Sequence, residues 1–205
     1  MIIAVDGPAA SGKGTIARAL ARHFGLPHMD TGLLYRATAL NLLELGGDPE
    51  SEFAAARATD LAQISLDDPE LKTETVGGIA SRISAYPLVR EALIERQRNF
   101  AGQAGGAVLD GRDIGTVIAP EAEAKLFVTA RPEIRAQRRF AELVAAGLDV
   151  HFADVLADIH ARDERDTGRE AAPLTMALGA ALIDTSELTP GEAVAAAIAA
   201  VEARR

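Results

Sequence analysis

Cysteine is absent from this chain of 205 residues, so it can form neither disulfides nor thiolate-bound zinc sites. No apolar run approaches the roughly 18 residues that a membrane-spanning helix needs. The beginning of the chain also lacks the basic segment and cleavable apolar stretch of a secretory leader. We therefore expect a cytoplasmic protein with no membrane among its partners.

Lysine is nearly absent as well. It occurs only at Lys13, Lys72 and Lys125, and arginine supplies every other side-chain cation. Arginine suits phosphate, because its planar guanidinium donates two parallel hydrogen bonds to one group. The net charge of −9 argues against a general nucleic-acid binder. We expect no nucleic-acid polymer as a partner, and arginines that cluster at phosphate sites.

The first fifteen residues carry the strongest functional signal. Residues 2–5 predict a buried strand, residues 13–24 predict an amphipathic helix, and a glycine-rich loop joins them. This arrangement is typical of a phosphate-binding P-loop, in which backbone N–H groups and a helix N-terminus surround the phosphates. Lys13 is expected to reach the terminal phosphates, and a nearby hydroxyl to help hold Mg²⁺. The loop residues expected to surround the phosphates are Gly7, Pro8, Ala9, Ala10, Ser11, Gly12, Lys13, Gly14 and Thr15.

Short apolar segments alternate with longer helical ones along the chain. This pattern predicts a single α/β domain over 1–205, with a parallel sheet between helices. Strands are predicted at 2–5, 27–29, 107–109, 124–129 and 181–184. Helices are predicted at 13–24, 32–45, 52–63, 76–84, 87–102, 132–146, 152–166 and 190–203. Gly25 is placed to end the first helix, and Thr189 and Glu192 to begin the last one as a capping box. The pattern predicts no fold for 66–75.

A polar cluster follows the second predicted strand, at the carboxyl edge where open α/β sheets bind ligands. Its residues Asp30 and Thr31 are both suitable N-caps for the next helix. Arg36 lies within the first two turns of that helix and is placed to meet an anion. The alternative is a plain capping motif without a ligand.

A second cluster, Asp110-Gly111-Arg112-Asp113, follows the third predicted strand. An aspartate at the end of a strand beside a P-loop is placed to organise the water shell of a metal. Arg112 and Asp113 are placed to meet a second ligand. The alternative is a charged surface loop.

A third cluster is rich in arginine and lies at the end of the predicted helix 152–166. Helical spacing places Arg162, Arg165, Asp166 and Arg169 near one face. One interpretation is ion pairing along the helix, because Arg162 and Asp166 are four residues apart. The other is a lid that closes over a ligand, since a loop marked by glycine and proline follows.

These motifs occur together in one order. They are Gly-Pro-x3-Gly-Lys-Gly-Thr, Asp-Thr-Gly-x2-Tyr-Arg, Pro-x-Val-Arg-x2-Leu, Asp-Gly-Arg-Asp-x-Gly-Thr and Arg-Asp-x-Arg-Asp. The set resembles the bacterial cytidylate kinases, which are P-loop nucleoside monophosphate kinases. The resemblance implies a monomeric enzyme of pyrimidine nucleotide metabolism that phosphorylates CMP and dCMP to CDP and dCDP. The γ-phosphoryl group of ATP would be transferred in line, and Mg²⁺ would be the cofactor. The resemblance also implies a five-stranded parallel core, a nucleoside-monophosphate-binding region at 31–104 and a short lid at 150–173.

The resemblance also assigns roles to individual residues. Those assigned to CMP are Arg36, Arg112 and Arg169 for phosphate, Ser81, Arg90 and Asp113 for the base, Arg162 and Asp166 for the sugar, and Thr31 beside the monophosphate. The catalytic residues are Lys13, Arg112 and Arg162. Thr15 and Asp110 are assigned to Mg²⁺, mainly through water. Four arginines, Arg131, Arg135, Arg138 and Arg139, lie near the family's ATP contacts, and the sequence does not rank them.

The chain departs from the family pattern in two places. Thr31 stands where members often have serine, and 64–78 is shorter than the insert that many members carry before Ser81. Two other classes of protein share part of the pattern. One is another small P-loop kinase, acting on UMP, shikimate or dephospho-coenzyme A. The other is a sensor that binds ATP and transfers nothing.

Overall fold

A five-stranded parallel sheet with helices on both faces forms the centre of the computed structural model, which describes residues 1–204. The strands are β1 (Ile2–Asp6), β2 (His28–Asp30), β3 (Ala107–Gly111), β4 (Ala124–Thr129) and β5 (Ala181–Asp184). Their order across the sheet is β2-β3-β1-β4-β5, and every neighbouring pair is parallel. The predicted α/β fold is confirmed, and each predicted strand boundary lies within two residues of the observed one.

The helices are α1 (Lys13–Phe24), α2 (Thr31–Glu44), α3 (Glu52–Arg57), α4 (Glu74–Ile83), α5 (Pro87–Ala101), α6 (Pro132–Ala145), α7 (Phe152–Gly168) and α8 (Pro190–Glu202). The predicted caps form: Gly25 ends α1 in the left-handed conformation, and Thr189 and Glu192 make a capping box at α8. Within residues 1–204, no helix combines the length and apolar character needed to cross a bilayer.

The central strand β1 is buried on both faces, as parallel strands usually are. Ile3 and Val5 pack in one core cluster with Leu20 of α1 and Val201 of α8. Ala4 points to the opposite face and joins a second cluster. Because the two faces are closed by helices, polar ligands reach the sheet only at its ends.

The helices α2 to α5 enclose a third core of their own. It includes Leu34 and Leu42 of α2, Ile79 of α4 and Leu93 of α5, all almost fully buried. This helical unit therefore packs around its own apolar centre beside the sheet. It lies within the segment 31–104, for which the family resemblance implies a nucleoside-monophosphate-binding region, and that role stays a prediction.

The structure differs from the sequence-based prediction at three places. The helix predicted at 52–63 ends at Arg57, because Asn41 of α2 donates to the carbonyl oxygens of Ala58 and Asp60, each at 2.9 Å, and holds them out of a helical ladder. Residues Pro69–Lys72, for which no fold was predicted, form a 3₁₀ helix. A π-helical turn at Ile114–Ile118 was also missed.

Candidate active site

The carboxyl ends of β1, β2 and β3 lie side by side and bring the predicted polar clusters together. In the strand register, Asp6 is paired with Gly111 and Asp30 with Asp110. The P-loop, the segment after β2 and the segment after β3 therefore meet at one edge, where open α/β sheets bind ligands.

The P-loop has the backbone form that phosphate binding requires. Gly12 is the N-cap of α1 with φ of 89°, and no side chain of the described residues caps the helix. The first N–H groups of α1 are thus left for an anion, which the helix dipole also favours. Gly7 is needed for close approach, because a Cβ atom there would lie 2.0 Å from the carbonyl oxygen of Val128.

Lys13 projects from the first turn of α1, and its Nζ donates to the carbonyl oxygen of Pro8 at 3.2 Å. Burial, together with the positive charge of Arg112, lowers the pKa of Lys13 to about 7. An arriving phosphate would favour the charged form again, because an opposite charge raises the pKa of an ammonium. A bound anion would therefore stabilise the charged form of Lys13 at this position.

Two adjoining cavities occupy this edge of the sheet. The larger, of about 570 Å³, lies over the P-loop and includes Lys13 and Asp110 in its wall. The smaller, of about 70 Å³, lies toward α4 and α5. Arg36, Arg112 and Arg162 line both cavities. Cationic side chains therefore converge where the two spaces meet.

The smaller cavity contains an ion-paired network at its inner end. Arg90 of α5 donates to Asp113 Oδ2, and Arg169 Nη2 lies 3.9 Å from Asp113 Oδ1. Arg165 Nε donates to Ser81 Oγ at 3.3 Å. The structure thus places the three residues predicted to read a base, Ser81, Arg90 and Asp113, in one cavity.

At the junction of the cavities, Arg112 is paired and Arg162 is not. Arg112 Nε donates to Asp166 Oδ2 at 2.6 Å, so Asp166 binds Arg112 across the cavity, and not Arg162 along its own helix. Arg162 Nε is buried without a hydrogen-bond partner among the described residues. Burial, and then the charge of Arg112, lowers the pKa of Arg162 to about 10. The interpretation of the cluster as ion pairs along α7 is wrong for this pair.

Arg36 is held by backbone carbonyls and not by a carboxylate. Its Nη1 donates to the carbonyl oxygens of Leu71, at 2.7 Å, and of Thr73, at 3.4 Å. Both acceptors belong to the short segment before α4. Burial, and then the positive charge of Arg139, lowers the pKa of Arg36, whose side chain lines both cavities.

The structure shows which residue of the segment after β2 caps α2. Asp30 Oδ1 accepts from the backbone N–H of Gly32 at 2.9 Å and is the N-cap. Thr31 instead donates its hydroxyl to the carbonyl oxygen of Asp110 at 2.9 Å. Thr31 therefore ties the start of α2 to the end of β3, and its contact with a monophosphate stays a prediction.

The residues present fit a magnesium ion that arrives with a nucleotide. Burial, and then the negative charge of Asp110, raises the pKa of Asp30, which shows two carboxylates crowded at one edge. The described residues contain no group of three or more histidine and carboxylate ligands that could hold a metal alone. Mg²⁺ is commonly held by one or two carboxylates, waters and substrate phosphates. Thr15 and Asp110 lie in the cleft wall and are suited to this kind of binding.

The four unranked arginines have different positions. Arg138 and Arg139 line the larger cleft. Arg135 is buried and binds Asp163 of α7 at 2.9 and 2.5 Å, while Arg131 pairs with Glu187 at the surface. Arg138 and Arg139 are therefore the two placed to meet a ligand over the P-loop.

Three residues near the site were not predicted to have a role: Asp6, His28 and Thr185. Asp6 Oδ1 and Oδ2 accept from the N–H groups of Ile114 and Gly115, each at 2.8 Å, and burial raises the pKa of Asp6 to about 6. Thr185 donates to the carbonyl oxygen of Ser11 in the P-loop at 2.9 Å. The position of a polar residue at or just after the end of a strand was the available signal for Asp6 and Thr185.

Comparison with known proteins agrees with this geometry. The family model described as cytidylate kinase matches residues 3–203. The chain belongs to the cytidylate kinase family. It is 58% identical over 207 aligned residues to a protein named cytidylate kinase from Xanthobacter autotrophicus, covering 100% of this chain and 99% of that one. A protein of the same name from Caulobacter vibrioides is 55% identical, with 100% and 96% covered.

The predicted family is thereby confirmed, and the chain is an enzyme of the nucleoside monophosphate kinase class, a transferase. A crystal structure of an uncharacterized protein from Eubacterium ventriosum has a TM-score of 0.56 to this chain, with 15% identity and 98% of both chains covered. That likeness shows the fold alone.

Proposed function

We propose that this cytidylate kinase family member transfers the γ-phosphoryl group of ATP to CMP and dCMP, forming ADP and CDP or dCDP, in pyrimidine nucleotide metabolism. One observation carries the proposal: a cavity over a P-loop and a smaller cavity that contains the ion-paired carboxylate of Asp113 meet at Arg36, Arg112 and Arg162. Two nucleotides bound in these cavities would bring their phosphates together at that junction. The relatives' name, cytidylate kinase, supports CMP as the acceptor.

In the proposed reaction, an oxygen of the CMP phosphate attacks the γ-phosphorus, and the bond from that phosphorus to the ADP oxygen breaks in line. A phosphate oxygen is already anionic, so the step needs no general base. What it needs is alignment and compensation of charge. We assign these tasks to Lys13 on the ATP side and to Arg112 and Arg162 at the junction.

The donor is assigned to the larger cleft, with Gly7 to Thr15 around the ATP phosphates. Mg²⁺ bound with ATP would neutralise part of the phosphate charge, and we assign it to Thr15 and, through water, to Asp110. Arg138 and Arg139 are the further candidates for ATP contacts, since both line this cleft.

The acceptor is assigned to the smaller cavity. Cytosine carries an N4 amine that donates hydrogen bonds, where uracil carries an accepting carbonyl. The carboxylate of Asp113 is buried and already oriented by Arg90, so it is suited to accept from that amine. Ser81 and Arg90 would complete the base site, and Thr31, Arg36, Arg112 and Arg169 would surround the phosphate, with Arg162 and Asp166 at the sugar.

The proposal includes the regions around these cavities. The segment 31–104 would bind the monophosphate, and 150–173 would close as a lid that excludes water from the transfer. We further propose a cytoplasmic monomer that has ATP and CMP or dCMP as its ligands and no polymeric nucleic acid or membrane as partner. Light scattering of the purified chain tests the oligomeric state directly.

The decisive experiment is ADP release from Mg-ATP with CMP, dCMP, UMP, AMP, GMP, shikimate and dephospho-coenzyme A offered separately. Turnover with CMP and dCMP alone is expected, and Lys13→Ala should reduce it by orders of magnitude while the fold persists. Turnover on a different acceptor would overturn the base assignments at Ser81, Arg90 and Asp113. ATP binding without turnover on any acceptor would make the protein a sensor.

A further inference from the structure

We propose that His28 is a positioning residue for Asp110: it holds one carboxylate oxygen so that the other faces the metal-bearing side of the P-loop. The inference rests on the proposed function, in which Asp110 contacts the water shell of Mg²⁺. His28 itself does not appear among the described residues that line either cavity. The side-chain contact through which His28 reaches the cleft wall is its hydrogen bond to Asp110.

The strand register explains why these two side chains meet. His28 is paired with Val108 and Asp30 with Asp110 in the parallel ladder of β2 and β3. Alternate residues of a strand share a face of the sheet, so His28 and Asp110 are diagonal neighbours on one face. His28 Nε2 lies 2.7 Å from Asp110 Oδ1, and the two side chains are only 17% and 3% exposed. This is a short, shielded hydrogen bond to a carboxylate, which is the strong kind.

The second carboxylate oxygen faces the P-loop. A Cβ atom built on Gly14 would lie 3.7 Å from Asp110 Oδ2, so this oxygen is close to the start of α1. With Oδ1 held by His28, rotation of the carboxylate about its Cβ–Cγ bond would break a buried hydrogen bond. His28 thus fixes the position of Asp110 Oδ2, the oxygen that is available to a hydrated cation.

The charges around Asp110 show why such a restraint matters. Lys13 and Arg112 attract the carboxylate, while Asp30 repels it. Without the hydrogen bond to His28, these opposing charges would leave the carboxylate free to rotate away from the orientation that faces the P-loop. A hydrogen bond from β2 opposes that rotation without adding a group to the phosphate cleft.

The test compares His28→Leu with His28→Gln. Leucine removes the donor, whereas the glutamine amide nitrogen stands the same number of bonds from Cβ as the histidine Nε2 and retains an N–H. His23→Leu is the matched control, since His23 pairs with Glu202 at the surface. Each protein is titrated calorimetrically with ADP in the presence of Mg²⁺ and with ADP in the presence of a chelator, after thermal unfolding has shown that it is folded.

We expect His28→Leu to weaken Mg-ADP binding about tenfold, in line with the loss of other outer hydrogen-bond partners of metal sites. Metal-free ADP binding should change less than about twofold, and His28→Gln should recover most of the loss. In turnover, kcat should fall and the KM for CMP should stay unchanged. Equal weakening with and without metal, no weakening, or no recovery with glutamine would each overturn the proposal.

This design separates the failure of His28 from the failure of the proposed function. If the unaltered chain binds Mg-ADP but phosphorylates neither CMP nor dCMP, the proposed function is wrong, and the titrations still decide whether His28 acts through the metal site. If CMP is phosphorylated normally and the titrations of His28→Leu match those of the unaltered chain, only the inference about His28 is overturned.

Discussion

Arg139 of α6 and Glu74, the first residue of α4, form an ion pair across the mouth of the larger cleft. Both side chains also line that cleft. Arg139 binds Glu142 of its own helix at 3.0 Å as well. Of these two pairs, the one with Glu74 joins α4 to α6, and so it connects two helices that line the larger cleft.

We expect Glu74→Gln to tighten ATP binding, because the phosphates no longer compete with Glu74 for Arg139. A half-exposed ion pair contributes about 0.2–1 kcal/mol, so the expected decrease in the Kd of ATP is about 1.4- to fivefold, and smaller at high salt. Glu142→Gln is the control, since it removes a charge from the same arginine without opening the cleft. Equal effects of the two substitutions would show that only the net charge matters.

The second prediction concerns the pair of Arg112 and Asp166. Burial favours the neutral form of Asp166, but the charge and hydrogen bond of Arg112 outweigh it and hold the pKa of Asp166 below its usual range. A lowered carboxyl pKa stabilises the fold above the unfolded-state pKa of about 4, and that stabilisation is lost as the pH falls through the native value. Asp166→Asn should therefore cost about 1–3 kcal/mol at pH 7.

Urea unfolding between pH 7 and pH 3 checks this expectation. The difference in unfolding free energy between Asp166→Asn and the unaltered chain should be constant near neutrality and shrink in acid. Asp158→Asn on the same helix is the control, because Asp158 has no ion pair like that of Asp166 among the described residues. A difference that does not depend on pH would mean that the charge of Asp166 is not what stabilises the fold.

The local parts of this structure were predictable from the sequence, because they depend on neighbours in the chain. The P-loop follows from glycine conformations and a helix N-terminus, and the capping box at Thr189 from the spacing of two side chains. The strands β1 and β3 were found because burial on both faces leaves short apolar runs. Parallel strands place their carboxyl ends at one edge, so the meeting of the polar clusters followed from the fold class.

The remaining features depend on contacts between distant residues. The π-helical turn at Ile114–Ile118 begins where Asp6, 108 residues earlier, accepts two backbone N–H groups. The end of α3 depends on Asn41, 17 residues before the carbonyl of Ala58. The contact of His28 with Asp110 requires the exact register of β2 on β3. Periodicity and caps carry no information about such pairings.

The third prediction tests how the base is recognised. Asp113→Asn keeps the shape of the side chain but removes the charge that Arg90 binds and adds an amide donor. A hydrogen bond to a charged group contributes about 1.5–3 kcal/mol, so we expect the ratio of kcat/KM for CMP over UMP to fall at least about tenfold. Turnover with each nucleotide at fixed Mg-ATP measures the ratio. An unchanged ratio would remove Asp113 from base recognition.

The last prediction follows from the lowered pKa of Lys13. With a pKa of about 7, roughly three quarters of the Lys13 side chains are neutral at pH 7.5 in the unliganded protein. Phosphates beside Nζ favour the ammonium and raise the pKa, so binding of metal-free ADP should take up a proton, approaching about 0.7 per site at pH 7.5.

Calorimetric titrations in buffers with different ionisation enthalpies measure this uptake. It should decrease as the pH falls below 7, where Lys13 is already charged before ADP binds, and it should vanish in Lys13→Met at saturating ADP. Lys72→Met is the control, because that lysine lies outside the cleft lining. Proton release, or uptake that persists in Lys13→Met, would assign the titrating group elsewhere. Uptake that is lost with Lys13 would show that ADP binding is coupled to recharging of the P-loop lysine.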